Sequence, residues 1–449
     1  MSFITDKQTL EDLNIFGRPG TDCIYELYNK TRTHGGAKIL EKMFLYPLYD
    51  INDINKLSNT FQYFSKLDGS YPFKAELLDC VENYLSMTDA RTKLSHGDNN
   101  LVRKFSNLLS ADGDYTTILN GISATSSLLK ELSQYIEGIK PSAILTAYQK
   151  ELEEITILLK DEELGVLISE KSVGKISYAA LVNYDELLRF KSRDKIRQLL
   201  AHIYYLDVYI SVAEVAAVNS YIFPEALTAS EKTIKLTNVY HPLIKKPISN
   251  TINITPQENV IFLTGANMAG KSTFMKSLGI ALYLAHMGFP IAASSMEFSI
   301  RDGIYTTINL PDDLSSGNSH FYAEVLRVKK IAKELGSNKN LFIIFDELFR
   351  GTNVKDAHEG TVAITQAFAR KENCMFVVST HIVEAGEVLR KLCDNIKFVY
   401  LPTKMTGNIP TYTYRLEPGI TADRHGMLII NNEGILEIIK SRKSKAVTS

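Results

Sequence analysis

From residue 1 to about 125, apolar positions recur at helical spacing between Gly and Pro punctuation such as Gly17-Arg18-Pro19-Gly20 and Gly35-Gly36, with no strand alternation. This pattern predicts short helices joined by turns. From Ser126 to Asn219 the chain becomes rich in Leu, Ile, Lys and Glu, and neither Gly nor Pro falls between Lys175 and Phe223. One straight helix over Ser177 to Ser220 would reach roughly 66 Å at 1.5 Å per residue, more than a compact domain needs for its own core. The run therefore predicts a lever or coiled-coil-like arm, with two packed helices of a bundle as the alternative.

Near Phe223-Pro224-Glu225 the texture shifts to short β-rich runs, including Thr233 to Leu236 and Val260 to Leu263. Leu341 to Phe345 and Met375 to Val378 read as buried parallel strands, and Phe274 to Ala285 as a helix between strands. The expected fold is multidomain, an all-α region followed by an α/β nucleotide-binding domain. The expected divisions are a helical core over 1–125, long lever helices over 126–230 and the α/β domain over 231–449.

Composition narrows the function classes. Lys plus Arg number 50 and Asp plus Glu 51, for a formal charge of -1, so nucleic-acid binding would have to come from a local patch or enclosed channel rather than a basic coat. The cysteines Cys23, Cys80, Cys374 and Cys393 are scattered without metal-ligand spacing, which fits a reducing compartment. The first residues lack the charged start and apolar stretch of a secretory signal, and no segment approaches 18 uninterrupted apolar residues. A cytoplasmic protein that does not engage a membrane is expected.

The chemistry concentrates in three segments. Gly265-Ala266-Asn267-Met268-Ala269-Gly270-Lys271-Ser272 matches the phosphate loop G-x-x-x-x-G-K-[ST], after an apolar strand and at the start of a helix. Glycines let the backbone wrap phosphate oxygens, Lys271 neutralises β/γ charge, and the Ser272 hydroxyl can ligate Mg²⁺. Leu341 to Glu347 gives a buried strand ending in two carboxylates; Asp346 would hold Mg²⁺ through water, and Glu347 would orient the attacking water. His381 follows the run Met375 to Thr380, where an imidazole could reach a γ-phosphate or that water. The other histidines lack metal spacing, so Mg²⁺ is the only ion implied.

The segment Thr264-Gly265-Ala266-Asn267-Met268-Ala269-Gly270-Lys271-Ser272-Thr273, with its internal Asn-Met, resembles the phosphate loop of the MutS family of DNA mismatch-repair ATPases. Asp312-Asp313-Leu314 leading to Ser319-His320-Phe321-Tyr322-Ala323-Glu324, then Asp346 to Thr352, then Ser379 to Glu384 are similar to that family in order and spacing. Upstream, Thr31 to Leu40 through Pro47 to Ile51 looks like the start of its helical core, and Tyr240-His241-Pro242-Leu243 like the opening of its ATPase domain. The resemblance implies an ABC-type ATP site completed across a homodimer, with Ser319 of one subunit facing the γ-phosphate held by the other, and Thr273 within the nucleotide-binding loop. It also implies long helices that link nucleotide state to a DNA-enclosing gap.

Departures from the family pattern shape the expectation. The first 220 residues contain no Phe-x-Glu, the wedge of members that read mismatches, so a chain without the N-terminal mismatch-recognition domain is expected, acting on structured DNA more than on single mismatches. About 210 residues separate Thr31 from His241, which predicts a reduced or absent clamp. Phe349 and His320 stand where the family usually has Gly and Thr. The expected function is a Mg²⁺-dependent ATPase that switches a dimeric DNA clamp in mismatch repair or recombination, with repair proteins as possible partners. The alternative is a nucleotide-gated, non-hydrolysing scaffold on structured DNA or an RNA assembly.

Overall fold

The computed structural model describes residues 3–17, 20–67, 71–94, 112–139, 147–169, 177–309, 320–406, 409–421 and 434–441. The chain forms two compact units, one of Tyr28–Met43 and Asn59–Val215, the other of Met1–Leu27, Phe44–Ser58 and Ala216–Ser449. These divisions differ from the boundaries expected at 125 and 230. Position 125 lies inside the helix Asp112–Gly138, and the first 27 residues group with the sheets rather than with the following helices.

The first unit is helical. The Thr33 to Gly36 motif is a packing device: the buried Asp207 carboxylate accepts hydrogen bonds from the Arg32 and Thr33 amides and the Thr33 hydroxyl, so a carboxylate from the helix Arg193–Asn219 caps the helix that begins at His34. A Cβ on Gly36 would come within 2.5 Å of Asp207 Oδ2, which explains the glycine. The helix Arg193–Asn219 is long and apolar enough to cross a bilayer, but 72% of its most apolar window is buried, as in a core helix.

The expected single arm over Ser177 to Ser220 is not one straight helix. It runs as an α-helix over Tyr178–Asp185, a π-helical turn over Glu186–Lys191 and the helix Arg193–Asn219. At the wide turn the Ser192 amide reaches back to the Leu187 carbonyl at 2.7 Å. The buried Arg189 sits within the turn, pairing with Asp185 at 2.5 Å and reaching the Met87 and Thr92 carbonyls and the Thr92 hydroxyl. A buried guanidinium needs this many acceptors, and the local geometry follows them.

The second unit carries the strands. β1 (Glu225–Leu227), β2 (Ile234–Val239), β3 (Asn250–Ile254) and β5 (Ser295–Ser299) form one sheet in the order β1-β5-β2-β3, after β4 (Val260–Gly265) is set apart. β6 (Gly303–Thr307), β7 (Leu341–Asp346), β8 (Met375–Ser379), β9 (Ile396–Leu401) and β4 lie parallel, with β12 (Glu417–Pro418) antiparallel at one edge, in the order β12-β9-β4-β8-β7-β6. β10 (Thr403–Thr406) and β11 (Ile409–Tyr412) make a separate hairpin. β4, β6 and β8 are buried throughout and β7 over all but its last residue, the burial that the near-continuous apolar runs of β4, β7 and β8 anticipate. The core beneath β7 and β8 stacks Phe368 between Phe345 and Phe376, with rings nearly parallel.

Parallel strands put their carboxyl ends on one side of a sheet, so the residues after β4, β7 and β8 converge there.

Candidate nucleotide site

The loop from Gly265 to Gly270 leaves β4 and turns into the helix Lys271–Ala285. Three positive φ angles make the turn: Gly265 at 148°, Met268 at 67° and Gly270 at 100°. Glycine enters the first and last at little cost, and a Cβ at 265 would stand 3.0 Å from the Leu401 carbonyl oxygen. Ala266 and Ala269 bracket the tight turn, the Ala269 amide bonding to the Ala266 carbonyl at 3.3 Å, while Asn267 and Met268 are exposed at its crest. The helix begins without a side-chain cap, so its first amides point into the loop.

Lys271 is buried, and its Nζ donates to the Gly265 and Ala266 carbonyls at 2.9 and 3.2 Å. Burial lowers its pKa, opposed by the carboxylates of Asp346 and Glu347. Ser272 and Thr273 follow, both exposed, and Ser272 Oγ donates to Asp346 Oδ2 at 2.5 Å. Two strands that are separated in the sheet by β8 are thereby joined at their ends.

Asp346 carries a raised pKa because burial disfavours its charge, against the pull of the Ser272 hydroxyl. Its Oδ1 is buried and, among the described residues, closes no hydrogen bond, and neither does Ser379 Oγ. A buried carboxylate oxygen without a partner, beside a hydroxyl, is a hard-oxygen position suited to a cation that keeps water and phosphate ligands.

Glu347 sits just past β7 in the left-handed region, φ 56°, its amide held by the Ser379 carbonyl at 2.9 Å. His381 Nε2 donates to Glu347 Oε1 at 2.5 Å, and Arg350 Nη1 approaches Oε2 at 3.7 Å. The His381 hydrogen bond lowers the Glu347 pKa, reinforced by the charges of His381, Lys271 and Arg350 and opposed by burial. Residues 265–273, Asp346, Glu347 and His381 thus gather at the ends of three strands. Ser319, and the Asp312-Asp313-Leu314 segment before it, lie outside the described residues.

A cavity of about 120 Å³ is lined by Ser272, Asp346, Glu347 and Arg350 together with a wall of Thr307, Ile308, Asn309 and Glu324. Of this wall the sequence marks Glu324 and misses Thr307, Ile308 and Asn309, because no local motif marks a strand's continuation as part of a site. It also missed Tyr414, whose ring stands so close that a Cβ on Gly270 would meet it at 2.9 Å. Phe349 lies next to the carboxylates at φ 63°, a conformation that costs a non-glycine residue about 1–2 kcal/mol. Its ring is buried against Phe321 at 5.9 Å and occupies the space above Gly360. Burial of the ring offsets the backbone strain.

Residues 261–448 match the family profile of MutS domain V. Over these residues the chain carries a MutS-family domain. Among its relatives, the DNA mismatch repair protein MutS of Petrotoga mobilis is 30% identical over 301 residues, 66% of this chain and 35% of that protein. The MutS of Streptococcus equi subsp. equi is 28% identical over 278 residues, 60% of this chain and 32% of its own length. That of Clostridioides difficile is 31% identical over 241 residues, or 52% and 25%. The match thus spans about a third or less of the length of these MutS relatives. The domain V segment includes the strand-end loop, both carboxylates and His381.

Proposed function

We propose that this chain is a Mg²⁺-dependent ATPase that binds DNA and uses ATP to switch the geometry of a homodimeric clamp. The observation that carries the reading is the junction at the strand ends: Ser272 bonded to Asp346, beside Glu347 bonded to His381, at the foot of the loop that holds Lys271. The loop amides and Lys271 would hold the triphosphate. Ser272 and Asp346 would hold Mg²⁺, which supplies charge neutralisation between phosphate oxygens. Glu347, kept ionised by His381, has the charge to accept a proton from water, and His381 fixes where that carboxylate points. Tyr414 offers a flat apolar wall beside Gly270 for the nucleoside. Ser319 would complete the site from the second subunit. DNA as the partner follows the relatives, which are named DNA mismatch repair proteins.

A second reading, a nucleotide-gated scaffold that does not hydrolyse, is favoured by one feature: both Glu347 oxygens are already engaged, Oε1 by the His381 imidazole and Oε2 by the Arg350 guanidinium. Single-turnover ATP hydrolysis with forked, junction and mismatched duplexes separates the two. The ATPase reading expects DNA-dependent turnover that Glu347→Gln abolishes while ATP stays bound. No turnover with any DNA, and no difference between the wild type and Glu347→Gln, would favour the scaffold.

A further inference from the structure

The N-terminal residues are built into the wall of the nucleotide site. Ile4 pairs with β6 through two backbone hydrogen bonds, its amide to the Asp302 carbonyl at 2.8 Å and its carbonyl from the Ile304 amide at 2.9 Å. Gly303 permits this approach, because a Cβ there would lie 2.3 Å from the Ile4 oxygen. The short helix Lys7–Asp12 follows, capped by Asp6 through the Thr9 amide at 3.1 Å.

Asp12 is 1% exposed and its carboxylate is saturated by donors from a segment 294 to 297 residues away. Oδ2 accepts from the Thr306 hydroxyl at 2.7 Å and the Ile308 amide at 2.8 Å; Oδ1 accepts from the Asn309 amide and from Gln8 Nε2, both at 2.9 Å. Gln8 also donates to the Asn309 carbonyl at 2.9 Å. The Thr306 amide donates to Thr9 Oγ1 at 3.0 Å. Asp6, for its part, pairs with Arg327 and Lys330 of the helix His320–Leu335, and Arg327 returns to the Thr306 carbonyl and the Thr307 hydroxyl at 2.6 and 3.1 Å. Ile308 and Asn309 are thus held directly by the N-terminal segment and Thr307 through Arg327, which pairs with Asp6, and the same cavity is lined by Ser272, Asp346 and Glu347.

We propose that Asp12, with Gln8, is a positioning element of the ATP site, setting the wall that confines the metal and attacking water while leaving the phosphate cradle alone. The proposal rests on the ATPase reading. Its specificity comes from placement: the wall shares its cavity with the metal-side hydroxyl and the two carboxylates, whereas Lys271 Nζ bonds to the loop carbonyls of Gly265 and Ala266. A carboxylate is required because Asn at position 12 could present only one acceptor oxygen to amide donors that now meet both.

The test uses the full chain, with Asp12→Asn, Gln8→Ala and, as a control on the same helix, Glu11→Ala, whose side chain is exposed. ATP affinity under non-hydrolysing conditions, kcat, and the Mg²⁺ concentration for half-maximal rate are measured for each. Asp12→Asn is expected to lower kcat at least tenfold and raise the Mg²⁺ requirement severalfold, with ATP affinity within threefold of wild type. Gln8→Ala should shift both parameters in the same direction by a smaller factor, and Glu11→Ala neither. Should Asp12→Asn not fold, Gln8→Ala carries the test, since its amide bridges the same wall from the surface. Unchanged kcat and Mg²⁺ requirement in folded variants would overturn the proposal while leaving the ATPase reading intact; absence of ATP binding in the wild type would overturn that reading and the proposal with it.

Discussion

Gly360 lies within the helix Val354–Ala369, and a Cβ there would meet Phe349 Cδ2 at 2.9 Å and Cε2 at 3.1 Å. Two terms oppose each other in Gly360→Ala. Replacing Gly by Ala in a helix interior gains about 1 kcal/mol. Forcing a methyl into a packed core costs about 1–3 kcal/mol, and the Phe349 ring, buried and set edge-on to Phe321, has little room to retreat. The net expectation in the wild-type background is a destabilisation between about 0 and 2 kcal/mol. With the ring removed by Phe349→Gly the clash vanishes, and Gly360→Ala should instead stabilise by about 1 kcal/mol. The coupling between the two positions is therefore about 1–3 kcal/mol. Phe349→Gly should also be milder than Phe349→Ala by about 1–2 kcal/mol, because only glycine sheds the left-handed strain. Guanidinium denaturation of the four proteins of the cycle and of Phe349→Ala, followed by far-UV circular dichroism, measures these differences. An equal effect of Gly360→Ala in both backgrounds would refute the claim that the ring at 349 and the missing methyl at 360 fill one space.

Two further outcomes concern pH. His286 is fully buried and burial pushes its pKa down to about 3; Nε2 accepts from the Arg301 amide and Nδ1 faces the Leu48 carbonyl, so the native ring is neutral. The unfolded chain binds the extra proton first, so stability is complete above about pH 6.5 and falls as the pH drops toward 3, by about 1.4 kcal/mol per pH unit. His286→Gln should flatten that slope; a slope unchanged by the substitution would assign it to other groups. In the site, His381 holds the Glu347 carboxyl below its ordinary range. The acid limb of single-turnover hydrolysis should therefore lie below that range and move up in His381→Ala, and a limb that stays in place would remove His381 from the charge balance of Glu347.

What the sequence made legible was contiguous. The phosphate loop, the strand ending in Asp346-Glu347 and the strand before His381 are each written in fewer than ten neighbouring residues, and parallel-sheet geometry brings their ends together without further information. Contacts between distant segments were not legible. Asp12 meets Asn309 across 297 positions, and nothing in the pattern Lys7 to Asp12 distinguishes a buried anchor from an ordinary helix face. Asp185 and Arg189 have the i,i+4 spacing of a solvated pair, yet both are buried, since Arg189 finds further acceptors near residues 87 and 92. Phe349 could be read as a departure from a family pattern, but only the φ of 63° and the facing Gly360 reveal how the chain accommodates it.

The central claim is that the loop from Gly265 to Thr273 holds a nucleoside triphosphate through Lys271. Isothermal titration calorimetry of ATP into the wild type and Lys271→Ala, with Mg²⁺ present, tests it most directly. The account predicts saturable binding to the wild type that is lost in Lys271→Ala while the fold is retained; equal ATP affinity in the two proteins, or none in the wild type, would contradict it.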